Sequence, residues 1–142
     1  MAKTLGVYLY SETINEVAVR GENRSQTINR DLERLYDLYR RAIQETPLPL
    51  AEASLLVDCL NGSLMDARSA GVLWANVQDG IKYDGLDEKW EVDGAALVEK
   101  LRGFNRVQCL ALVDAAERFW AMPPTERGVE EGVRKCFNIS DK

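Results

Sequence analysis

The segment Thr4-Leu5-Gly6-Val7-Tyr8-Leu9-Tyr10 alternates with a strict period of two. Leu5, Val7 and Leu9 fall on one side; Thr4, Gly6 and Tyr8 fall on the other. That period, with Val, Tyr and Thr in the run, predicts a strand buried on one face. It is the one strand that the 142 residues clearly predict. A lone strand leaves its own N–H and C=O groups unpaired. The economical expectation is pairing with the same strand of a second copy, an antiparallel ribbon across a two-fold axis.

Ser11 follows as a candidate N-cap, and Thr13 with Glu16 offers a second capping register. Ile14, Val17 and Ala18 fit one face of a short helix that ends at Arg20-Gly21. After the turn Gly21-Glu22-Asn23-Arg24, a longer helix is expected from Ser25 to about Gln44. Its apolar residues Ile28, Leu32, Leu35, Tyr39 and Ile43 recur at spacings of 4, 3, 4 and 4.

Leu5-x-Val7-x-Leu9, the Ser11-Glu12 helix start and Asn23-Arg24-Ser25-Gln26-Thr27-Ile28-Asn29 together resemble the ribbon-helix-helix (Arc-like) DNA-binding family. The resemblance covers the first third of the chain. It implies an intertwined homodimer whose paired strands enter the major groove of an operator. It implies base-facing roles for Thr4, Gly6 and Tyr8. Ser25 would cap the second helix, and the amides of Gln26 and Thr27 would hold a phosphate. Arg24 and Arg30 would make ionic backbone contacts. Leu5, Val7, Leu9, Ile14, Ile28, Leu32 and Leu35 would form the shared dimer core.

Charge and pattern change at Thr46-Pro47-Leu48-Pro49. Residues 1–46 carry 7 basic and 7 acidic side chains, and residues 47–142 carry 11 and 16. Prolines two apart cannot sit inside a continuous helix. The expected organisation is a DNA-binding and dimerisation domain at 1–46, a linker at 47–50, a helical domain at 51–122 and a polar tail at 123–142. The fold class expected is mainly α: the ribbon-helix-helix unit plus a small C-terminal helical bundle. No family resemblance marks that second part.

In the helical part, Leu50, Ala53, Val57 and Leu60 mark one helix, closed by Asn61-Gly62. Ala70, Leu73, Trp74, Val77 and Ile81 mark a second, ending around Asp79-Gly80. Asp93 caps a third, with Leu97, Val98 and Leu101 on one face and Gly103 as its stop. Asn105 opens a fourth, striped by Cys109, Leu112, Val113, Ala116, Phe119 and Trp120 and ended by Pro123-Pro124. A frayed helix and polar tail are expected from Thr125 onward.

The chain has no histidine, which excludes Ser-His and Cys-His nucleophiles and imidazole metal ligation. GxGxxG, GxxxxGK[ST] and CxxC are absent as well. No enzyme activity, metal or cofactor is expected. Asp84, Asp87, Glu88, Glu91 and Asp93 crowd together but do not match the EF-hand spacing, so they read as a solvated acidic surface. Trp74, Trp90 and Trp120 read as packing residues, with Trp90 the best candidate for an exposed contact. Cys59 and Cys109 read as inert thiols, and Cys136, beside Arg134 and Lys135, as the more reactive one.

No run reaches the roughly 20 apolar residues of a membrane helix, and no basic-then-apolar leader opens the chain, so the expected location is cytoplasmic. The expected function is that of a dimeric, repressor-like transcriptional regulator, binding double-stranded DNA through residues 1–46 and a protein partner through the acidic remainder. The alternatives are an antitoxin with DNA autoregulation, and a protein-binding inhibitor that uses the ribbon fold only to dimerise.

Overall fold

The computed structural model describes residues 24–61, 73–123 and 128–140. Their regular structure is seven helices: α1 (Arg24–Glu45), α2 (Leu50–Cys59), α3 (Leu73–Asp84), α4 (Leu86–Trp90), α5 (Gly94–Gly103), α6 (Arg106–Ala121) and α7 (Val129–Cys136). No strand or sheet occurs among the described residues, which corrects the ribbon-helix-helix fold class to an all-helical one. The segment 4–10 and the first short helix, with Thr4, Leu5, Gly6, Val7, Tyr8, Leu9 and Ile14, lie outside the described residues.

Two compact units divide the chain, Met1–Asp37 and Leu38–Lys142. The division falls inside α1, upstream of the expected linker at 47–50. Helix α1 persists through it because a continuous apolar row runs along one side, from Ile28 through Leu32, Leu35 and Tyr39 to Ile43. Thr46 then closes the helix. Its backbone N–H and its hydroxyl both donate to the Ala42 carbonyl, at 3.1 and 2.9 Å, and Pro47 and Pro49 prevent resumption.

In the second unit, α2 is the central element. It packs against α3, α4, α6 and α7. Five consecutive residues, Ala53 to Val57, are buried, as befits a helix that is apolar nearly all round. At its C-terminal end the Asn61 N–H turns back to the Asp58 carbonyl, which would leave the Val57 carbonyl without a helical partner. The Trp120 indole N–H donates to that oxygen at 2.9 Å, fastening α6 to the end of α2. Lys100 on α5 reaches Glu52 on α2 at 2.6 Å.

Helix α3 runs past the expected stop at Asp79-Gly80 to Asp84. The reason is packing. A Cβ on Gly80 would lie 2.9 Å from Leu86 Cδ1 and 3.2 Å from Cys59 Sγ, so this glycine permits close approach rather than ending the helix. The stop is Gly85, in the left-handed region at φ 61°. One unforeseen turn, α4, follows and leads to Asp93, whose carboxylate accepts the Ala96 N–H at 3.1 Å and caps α5 as expected.

Asn105 caps α6 with a reciprocal box: its side chain accepts from Gln108 N at 2.9 Å, and the Gln108 side chain accepts from Asn105 N at 2.8 Å. Replacing Asn105 with alanine should cost about 1 kcal/mol. Urea unfolding should show this as a lower midpoint with an unchanged slope.

The stretch expected to be a polar tail contributes α7 to the core. Val133 is fully buried, and Cys136 and Phe137 are nearly so, while α7 packs on α2 and α6. The stripe at 133, 136 and 137 is short and lies among charges, so it hardly stands out from the sequence alone.

Candidate interaction surfaces

Helix α1 has two faces. On one, Leu32, Leu35 and Tyr36 are 42%, 38% and 45% exposed, while Ala42 and Ile43 farther along are buried in the second unit's core. The apolar row thus continues beyond the region the chain covers. On the polar side, Arg30, Arg34 and Arg41 lie at spacings of four and seven, on one side of the helix, and all are exposed. Asp31 sits 3.8 Å from both Arg30 Nε and Arg34 Nη1, an exposed and loose arrangement of little energetic weight.

The residues expected to touch DNA are distributed as follows. Ser25 lies within α1 rather than before it, which corrects its assignment as the N-cap. Ser25 and Gln26 are exposed in the first turn, Thr27 is buried, and Arg30 is exposed. Arg24 opens the helix. Of the expected dimer core, Ile28 is half-buried, and Leu32 and Leu35 are the open residues just described.

In the second unit, Asp58 joins two clefts. Its Oδ2 accepts from Lys89 Nζ at 2.6 Å and from the Trp90 indole N–H at 3.0 Å, tying α4 to the end of α2. Burial pushes this carboxyl upward, but the hydrogen bonds from Lys89 and Trp90 and the Lys89 charge outweigh it and hold the group below its ordinary range.

To one side of Asp58 lies an acidic cleft of about 440 Å³, lined by Asp58, Asp79, Asp84, Cys59 and Tyr83. Among the described residues, no cluster of carboxylates and thiols could hold a metal ion. The Cys59 thiol donates to the Asn76 carbonyl at 3.4 Å. Burial, reinforced by the charges of Asp58, Asp84 and Asp79, pushes its pKa up to about 11 from 9.0. At pH 8 the thiolate fraction is then about a hundredfold below that of an unperturbed thiol. Alkylation of Cys59 by iodoacetamide should be slower by a similar factor, as peptide mass mapping over time would show. The sign for stability follows: a pKa raised by folding stabilises fully below pH 9, and that contribution is lost as pH climbs toward 11.

Cys136 is the second correction. It is buried, and burial raises its thiol pKa despite the opposing charges of Arg118 and Lys135. It is not the exposed, activated thiol expected. Cys109 is buried and likewise raised by burial.

The cleft on the other side of Asp58 is also about 440 Å³ but apolar, bounded by Val57, Phe119, Val133, Trp90, Trp120 and Val129. Trp120 meets Phe119 edge to face, with centroids 5.2 Å apart. Trp90 is half-buried beside this cleft rather than standing out as an exposed contact. Trp74 is covered by the Arg102 guanidinium, 4.1 Å above its ring.

A smaller cavity of about 240 Å³ is lined by Arg40, Arg118, Lys135, Gln44 and Asn138. Arg118 is committed there to Asp114 at 3.1 Å and to the Cys136 carbonyl at 3.2 Å.

Sequence reading missed the Asp58 junction and both of its clefts. Asp58 stands beside an apolar run, and its partners Lys89 and Trp90 are some thirty positions away on a single-turn helix. Only the adjacency of an ammonium and an indole at 89–90 hinted at a shared acceptor.

No family model, no curated protein and no solved structure matches the chain. No helix among the described residues is long and apolar enough to cross a membrane.

Proposed function

We propose that the chain is a non-catalytic regulator that pairs with a second copy through α1 and binds double-stranded DNA. The supporting observation is the two-sidedness of α1: an open apolar row on one side and an exposed arginine stripe on the other. Apolar rows of this size on a soluble surface mark association sites. A second copy suits the row because an isologous contact needs only one kind of surface. Antiparallel pairing about a two-fold axis between Leu35 and Tyr36 lays Leu32, Leu35 and Tyr36 of the two copies together. Such pairing is self-complementary. Arg30, Arg34 and Arg41 then remain on the outer side, where phosphates supply affinity and salt dependence.

The paired β-ribbon forms no part of this proposal. Sequence choice would fall to residues around the start of α1, Arg24, Ser25, Gln26 and Arg30 among them. The acidic second unit, with its carboxylate cleft, repels DNA and suits a basic protein partner.

The test compares fluorescence anisotropy titrations of the chain's own promoter duplex and of a random duplex, from 50 to 300 mM salt. The proposal expects promoter affinity about a thousandfold or more above random. A ratio near one at every salt concentration contradicts the DNA reading and favours the protein-binding one.

A further inference from the structure

We propose that the cleft between Trp90 and Trp120 binds a small planar, apolar molecule bearing a carboxylate. Its volume of about 440 Å³ lies within the range of small-molecule sites. Three buried side chains, Val57, Phe119 and Val133, form its base, and the half-buried indoles of Trp90 and Trp120 flank it. Both indole N–H groups are already used inside the protein, Trp90 on Asp58 and Trp120 on the Val57 carbonyl. The rings therefore offer the cleft apolar and π surface, and their orientations are fixed in advance. That economy of motion suits a rigid aromatic body.

The polar selectivity comes from Lys89. Its ammonium lines the cleft and uses one of its three donors on Asp58, leaving two for a ligand. Asp58 also lines the cleft, but its Oδ2 already accepts from both Lys89 and Trp90, and the Lys89 ammonium 2.6 Å away offsets its charge. The group that complements the rim is an anion, and a carboxylate on an aromatic ring reaches both features at once. Val129, 58% exposed, stands at the open edge.

Isothermal titration of the full chain with naphthalene-2-carboxylate tests this, with 2-naphthalenemethanol as the neutral counterpart. The expected result is saturable binding, one per chain, with the carboxylate at least tenfold tighter than the alcohol. Val129→Glu should weaken the carboxylate at least tenfold while circular dichroism and melting stay as in the parent. Lys89→Met should weaken the carboxylate about tenfold and leave the alcohol unchanged. Absence of saturable binding up to millimolar ligand overturns the proposal, as does binding that neither variant alters. Equal affinity for carboxylate and alcohol overturns the assignment of Lys89 and the anionic class. Because no DNA is present, the outcome is independent of the regulator reading.

Discussion

Leu112→Ala should lower the unfolding free energy by about 2–5 kcal/mol. Leu112 is fully buried at the middle of α6, and its neighbours Ala111, Val113, Ala115 and Ala116 are buried with it. Small alanine side chains on either side cannot swing in to refill the space, so most of the cavity should persist. A domain of this size is held by about 5–15 kcal/mol in total, and the loss is a large share of that. Urea titration followed by far-ultraviolet circular dichroism reads it directly. Leu112→Met, which keeps the volume, should cost under about 1.5 kcal/mol. Equal losses from the two variants would mean that Leu112 does not fill a tight core.

The second large effect concerns assembly rather than folding. Leu35→Glu should raise the dimer dissociation constant about a hundredfold or more and leave helix content unchanged. Leu35 is 38% exposed in the single chain, so a carboxylate there is tolerated by the isolated fold. In the pair it would lie at the centre of the apolar contact beside its two-fold mate. Desolvating two like charges there costs several kcal/mol, and each ~1.4 kcal/mol is a factor of ten. Sedimentation velocity over a concentration series measures the shift. Leu112 and Leu35 are thus opposite cases: one loses the fold while the other loses the partner. Loss of helix content in Leu35→Glu would place this side chain in the chain's own core instead.

Some of this architecture was readable in the amino-acid sequence. The caps at Asp93 and Asn105 followed from side chains that satisfy orphan amides, a local signal that tertiary context left intact. The stripe from Cys109 to Trp120 followed from a long 3.6-residue period, and all its members but the half-buried Trp120 are buried. Gly80 misled because a glycine in a helix can be a stop or a point of close approach, and only the positions of Leu86 and Cys59 decide which. Helix α7 was hidden because three apolar residues among five charged or small ones give little periodicity, although Val133 and Phe137 complete the core. Gly132 has the same kind of role as Gly80: a Cβ there would meet Phe119 Cε2 at 2.8 Å.

The strand expected at 4–10 rested on alternation over seven residues that lie outside the described ones; among the described residues the fold is helical, with no sheet for a ribbon-helix-helix unit. Of the surfaces, only the apolar row of α1 was legible, because it is a property of a single helix. The Asp58 junction and the tryptophan cleft are assembled from α2, α4, α6 and α7, and no local pattern encodes them.

Self-association through the apolar row of α1 carries the functional account, and light scattering coupled to size exclusion tests it most directly. At micromolar concentration, the account predicts a particle of twice the 16.0 kDa chain mass that reverts toward one chain in Leu35→Glu. A stable 16.0 kDa particle from the parent protein at that concentration would contradict it.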